Sequence, residues 1–178
     1  MADPDLQPTL EGSLVRITPL ERSHFEALYA VASDPLVWEQ HPSSDRYKRE
    51  VFTALFEGGL ASGGALIVRD VVTGEVIGSS RYYDWQPAAK EIAIGYTFLA
   101  RKCWGGAHNR DMKRLMLGHA FGFAQRVWFH VGVRNIRSRT AMERIGGQFS
   151  HDVASDPTWG HKDMAYYFID RAAYRNLD

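Results

Sequence analysis

The stretch from Gly64 to Ala100 constrains the fold most. "GALIVRD", "EVIGSSRYYD" and "EIAIGYTFLA" are three strand-like runs separated only by the reversals "VTG" and "WQPAAK", which predicts an antiparallel meander. Directly behind the third run comes "RKCWGGAHN", with Gly105 beside Gly106, and then the strongest helical pattern in the chain. There Met112, Leu115, Met116, Ala120 and Phe123 recur at helical spacing, leaving Lys113, Arg114 and Gln125 for the opposite face.

The flanks add further elements. Residues 12 to 20 alternate as a strand with one wet face. Ser23 with Glu26 forms a capping-box pattern ahead of the stripe Phe25, Leu28, Tyr29 and Ala32, which Asp34-Pro35 ends. Residues 44 to 57 repeat the helical pattern through Tyr47, Val51 and Leu55, and "GGLASGG" after them reads as loop. Beyond the glycines, "RVWFHVG" reads as a short buried strand. "NIRSRTAMERIGG" then predicts a helix with Asn135 at its start and Gly146 or Gly147 past its end. "KDMAYYFID" gives a last strand. With no repeat and no linker, 178 residues predict one domain spanning 1–178.

Lys and Arg number 21 and so do Asp and Glu, so the overall field predicts neither a nucleic-acid nor an anionic-membrane partner. The one cysteine, Cys103, excludes an internal disulfide and a cysteine-rich zinc site. His108, His119, His130, His151 and His161 show no metal-binding spacing, so no metal is expected. The acidic, proline-containing start does not resemble a secretory signal, and no apolar run is long enough to span a bilayer. A cytoplasmic location is the expectation.

A strand, a glycine turn and a helix in that order leave unpaired N–H groups at the helix start, where the macrodipole favours an anion. Such a turn can cradle a phosphate, or simply connect two elements. The sequence has no GxxxxGK[ST], and "GGAHNR" lacks the third glycine of the dinucleotide fingerprint.

Lys102-x-x-Gly105-x-Ala107 resembles the pyrophosphate loop of the GNAT N-acetyltransferase superfamily, with Lys where Gln or Arg is usual. "VRNIRSRTAMERIGG" is similar to the second signature of that superfamily, at the expected distance and after the expected strand. The opening "LEGSLVRITPLERSHFEALYAVASDPLVW" resembles the branch that contains the RimJ and RimL ribosomal-protein N-terminal acetyltransferases, so that residues 10 to 170 are covered. "WGGAHNRDMKRLMLGHAF" departs from RimJ and RimL themselves, which leaves the substrate open.

The resemblance implies an α/β fold: a central, mostly antiparallel, splayed mixed sheet flanked by helices, with acetyl-CoA as cosubstrate. Backbone groups of Phe98, Leu99 and Ala100 would pair with the pantetheine arm. Lys102, Gly105, Gly106, Ala107, His108 and Asn109 would hold the pyrophosphate, and Asn135 would contact the cofactor. Glu91, eleven residues before Lys102, occupies the register of a general-base glutamate, with solvent water as the competing base. Ser138 matches a serine placed to protonate the departing sulfur; helix capping also accounts for it. Trp38, His41, Tyr83 and Trp85, more loosely Tyr82 and Trp159, come from segments that border the acceptor pocket in this fold.

The expected activity is direct transfer of acetyl to a primary amine, a small molecule or a protein N-terminus. A non-catalytic acyl-CoA sensor of the same fold would need the glycine loop but neither Glu91 nor Ser138. Monomer and homodimer both fit the pattern.

Overall fold

The computed structural model describes residues 3–174. Its centre is one eight-stranded sheet in the order β1-β2-β3-β4-β5-β6-β8-β7. The strands are β1 (Leu10–Glu11), β2 (Val15–Pro19), β3 (Ala65–Asp70), β4 (Val76–Gln86), β5 (Glu91–Leu99), β6 (Arg126–Gly132), β7 (Gln148–Asp156) and β8 (Lys162–Asp170). Every neighbouring pair is antiparallel except β5 with β6. The meander expected from Gly64 to Ala100 is β3-β4-β5, and β4 runs on through Trp85 and Gln86, which shortens the second reversal.

Four helices cover the sheet: α1 (Phe25–Ala32), α2 (Arg49–Ser62), α3 (Ala107–Ala120) and α4 (Ile136–Arg144). Period-2 alternation in β3 feeds both faces. Leu66 and Val68 join Met112, Met116 and Leu117 of α3 and Met142 of α4, whereas Ala65 and Ile67 join Leu28 of α1 and Phe52 and Phe56 of α2. Asp111 ties α3 to the sheet, its carboxylate accepting the backbone N–H groups of Leu14 and Val15 at 2.9 and 3.1 Å.

Three elements differ from the sequence reading. The helix placed at 44–57 is α2, which begins only at Arg49 and so leaves Tyr47 outside it, and Gly58, Gly59 and Leu60 continue it instead of forming a loop; it ends at Gly63, whose φ is +69°. Gly59 is there for packing, since a Cβ would meet Arg81 Nη2 at 3.1 Å and Leu20 Cδ2 at 3.3 Å. Lys113 is not on a wet face but 2 % exposed beneath the sheet. Strand β7 carries no readable signal in the sequence because seven of its nine residues are exposed and its apolar Phe149, Val153 and Ala154 do not alternate.

The feature that positions the site is the β5–β6 seam. Pairing runs only through Glu91↔Arg126, Ile92↔Val127 and Ala93↔Trp128 and then stops. Beyond Ala93 the strands part. Gly95 precedes a register shift in which β4 passes from Ser79↔Phe98 to Arg81↔Gly95, and Tyr96 within it takes φ +52°. An L-residue with positive φ in mid-strand marks a bulge that the surroundings enforce.

Candidate active site

The parting strands open a cavity of about 200 Å³. Ile94 to Leu99 of β5 form one wall and Phe129 to Gly132 of β6 the other. Gly105, Asn109 and Lys113 of the α3 region, and Asn135, Ser138 and Met142 of the α4 region, close one side. Trp38, His41, Ser43 and Arg46 from the α1–α2 loop, with Trp159 from the β7–β8 turn, close the other.

The α3 end is built to receive an anion. Gly106 caps the helix without a side chain, so the first-turn N–H groups of this 14-residue helix have no side-chain cap. Gly105 has φ +63°, which favours glycine, and a Cβ there would meet nothing within 4 Å. Two expected anion contacts are committed elsewhere as side chains. Lys102 Nζ lies 2.5 Å from Glu75 Oε2, and His108 Nε2 lies 2.9 Å from Asp70 Oδ2. Phosphate recognition by the backbone N–H groups of this turn does not depend on those two side chains.

Of the strand segment expected to pair with a pantetheine arm, Ala100 N–H already donates to Ile77 O at 2.7 Å, and Leu99 O accepts the indole N–H of Trp104 at 3.0 Å. Phe98 remains on the wall, and Tyr96 and Thr97 extend it. On α4, Asn135 Oδ1 accepts Ser138 N–H at 3.2 Å, so the asparagine is the helix cap and also borders the cavity with Ser138.

Glu91 is not brought to the cavity. It lies at the paired end of the seam, where Oε2 accepts the Trp128 indole N–H at 2.8 Å. Trp85 is also elsewhere, its ring edge-on to Phe123 at 5.3 Å in the α3-side core. Tyr82 is buried with its hydroxyl donating to Met116 O at 2.7 Å. Tyr83 stands behind the wall, packed on Tyr96 and Trp159 and 2.8 Å from His130 Nδ1. Trp38, His41 and Trp159 do line the cavity.

Sequence reasoning missed Arg46, Tyr96, Lys113, His130 and Arg137, all of which line it. For Tyr96 a signal existed: Gly95 inside a strand pattern marks a bulge. Lys113 Nζ donates to Thr97 Oγ1 at 3.1 Å beneath the opening, and burial pulls its pKa from 10.5 to about 7. Burial holds His130 near 4, and burial with the neighbouring Arg46 holds His41 near 3, so both imidazoles are neutral at pH 7. No Asp or Glu borders the cavity among the described residues.

A family model described as an acetyltransferase (GNAT) domain matches residues 15–148. The chain belongs to the GNAT acetyltransferase family. Solved structures agree with the fold of this GNAT domain. A GCN5-related N-acetyltransferase from Brucella melitensis superposes with TM-score 0.84 at 21 % identity, covering 96 % of this chain and 82 % of the other. RimJ from Mycobacterium smegmatis, in complex with CoA-disulfide, gives 0.67 at 18 % identity, covering 89 % and 82 %. The microcin self-immunity acetyltransferase MccE, in complex with acetyl-CoA and AMP, gives 0.74 at 13 % identity, covering 93 % and 98 %. No curated protein sequence matches this chain. Among its described residues no helix is long and apolar enough to cross a membrane, and no three His, Cys, Asp or Glu side chains group as a metal site.

Proposed function

We propose that this GNAT domain is an N-acetyltransferase that moves acetyl from acetyl-CoA directly to a primary amine. The observation that carries the reading is the cavity at the β5–β6 seam, bordered at once by the glycine turn of α3, the bulged β5 wall and Asn135 with Ser138. Acetyl-CoA supplies the activated acetyl group as a thioester. The uncapped start of α3, with Gly105 and Gly106, holds its phosphates through backbone N–H groups. Beyond Ala93, β5 lacks the β6 partner and offers main-chain groups to the amide-bearing arm.

Ser138 Oγ relays a proton to the leaving sulfur and takes one back from solvent, so the hydroxyl is regenerated. The acceptor amine must reach the site uncharged. A lining that holds Arg46, Arg137 and Lys113 but no carboxylate disfavours an ammonium ion, so it lowers the pKa of a bound amine. Bulk-connected water can then take the proton, and Glu91, outside the cavity, is not needed for it. The RimJ-like branch, with a protein N-terminus as acceptor, and a small-molecule acceptor are both compatible with this chemistry.

The test is calorimetric titration with acetyl-CoA, beside ATP and NAD, followed by thiol detection of CoA release when amines are added. Saturable acetyl-CoA binding and amine-dependent release support the reading. Binding without release for any amine would make the protein an acyl-CoA sensor, and no binding would overturn both.

A further inference from the structure

If the α3 side takes acetyl-CoA, the acceptor meets the opposite side, formed by the α1–α2 loop and the β7–β8 turn. That side is cationic and aromatic. Arg46 is half-buried, its guanidinium 5.6 Å from the Trp38 ring centre and 5.9 Å from that of Tyr96. Arg81 of β4 stacks on the same Tyr96 ring at 3.8 Å, and its buried Nε has no hydrogen-bond partner. Neither arginine is in an ion pair among the described residues, whereas Arg22, Arg49, Arg101 and Arg126 each hold a carboxylate.

The contact between Arg46 and His41 sharpens this. Ser43 N–H donates to His41 Nδ1 at 2.9 Å, which makes Nδ1 the bare nitrogen of a neutral ring and leaves the proton on Nε2. Arg46 Nη1 lies 3.2 Å from that Nε2. A guanidinium N–H and an imidazole N–H therefore face each other, donor to donor, at the cavity wall. An oxygen anion seated in the cavity against both nitrogens would accept from both, and a half-buried guanidinium with no paired carboxylate gains from its arrival.

We infer that the acceptor is a small amine carrying an anionic oxygen group, carboxylate or phosphate, which Arg46 and His41 Nε2–H bind together. Arg81, behind Tyr96, adds to the positive field, and Trp38, Tyr96 and Trp159 contact the carbon skeleton. The molecule is small because about 200 Å³ must hold both the acetyl-bearing end of the cosubstrate and the acceptor. An amine with no anionic group would leave the two facing donors of Arg46 and His41 without an acceptor. This inference deepens the acetyltransferase reading and rests on it for the position of the acceptor.

The experiment compares matched amines on the full chain: O-phosphoethanolamine and β-alanine against ethanolamine and propylamine, with alanine-led and aspartate-led peptides as a further arm. CoA release gives kcat/KM, and calorimetry on CoA-loaded protein measures acceptor binding independently. At least one anionic small amine is expected to exceed its neutral counterpart by about tenfold or more in kcat/KM. Arg46→Met is expected to abolish that preference through KM while acetyl-CoA affinity stays unchanged, and Arg46→Lys to restore part of it. Neutral amines or peptides turning over best would overturn the inference and leave the acetyltransferase reading standing. A loss of acetyl-CoA affinity in Arg46→Met would also overturn it, because the arginine would then serve the cosubstrate's phosphates. Arg46-dependent binding of an anionic amine with no CoA release would uphold the anion site and sink the transfer reaction.

Discussion

Lys113 Nζ donates to Thr97 Oγ1 across 3.1 Å, joining the middle of α3 to the bulged part of β5 just where β6 has turned away. An unfolded chain keeps this lysine protonated to about pH 10.5, whereas burial lowers the folded value to about 7. Between those limits the unfolded state binds more protons, so stability rises with pH. Lys113→Met is expected to remove a slope of up to about 1.4 kcal/mol per pH unit over that window and to raise stability at pH 7 and below. Urea melts at pH 6.5, 8 and 9.5 check it; parallel stability profiles for both proteins would refute the buried-lysine assignment.

His41 and His130 act at the acid end. Both stay neutral in the folded protein far below 6.5, the value at which they protonate when unfolded. The unfolded state again binds more protons, and stability is lost as pH falls from 6.5 toward 4. His130→Gln should flatten the acid arm of a pH–stability curve by about 1.4 kcal/mol per pH unit, since one of the two groups is gone.

Gly105→Glu introduces a carboxylate and a side chain at φ +63°, beside the open start of α3. Acetyl-CoA affinity should fall by about a hundredfold or more, while stability drops by about 1–2 kcal/mol from the positive φ alone, since a Cβ there meets nothing within 4 Å. Retained affinity by calorimetry would place the phosphates elsewhere.

Glu91→Gln and Ser138→Ala form a contrasting pair. Glu91 contacts Trp128 outside the cavity, so turnover at neutral pH should stay within about threefold of the parent. A collapse of turnover without loss of folding would return Glu91 to the role of base. Ser138→Ala should lower kcat by about tenfold or more with acetyl-CoA affinity little changed, and an equal loss of both would mark Ser138 as structural.

Gly132→Ala tests the acceptor side. A Cβ at 132 would sit 2.3 Å from Pro42 Cγ, so the 38–48 loop has to move off β6. The expected cost is about 1–3 kcal/mol, with faster proteolysis in that loop, read by limited digestion. Unchanged stability and digestion would show that the loop is not seated on Gly132.

The elements most legible in the sequence were those whose signal is local. Asn135 caps α4 through a contact three residues away, and Gly105 turns the chain through its own φ, so neither needs a distant partner to be read. Lys113 was misread because hydropathy places a lysine in water, and only the parting of β5 from β6 makes a place for it underneath. Gly59 looks like a loop residue until the tight approach of α2 to Leu20 and Arg81 is known, whereas Gly58 beside it meets nothing and has no packing reason. Arg46 lies in an irregular segment whose position depends on Trp38, Tyr96 and Pro42 meeting in space, which no periodicity encodes.

The three-pair seam between β5 and β6 also has a mechanical meaning. Five strands on one side and three on the other are each laced by antiparallel ladders, and in the sheet itself these two plates meet over just Glu91–Ala93 and Arg126–Trp128. Anything that fills the opening touches both plates, so it works as a rivet as well as a reactant. Slow amide exchange should then spread on ligation from the gap into Val131 and Gly132, the residues of β6 farthest from the seam's closed end.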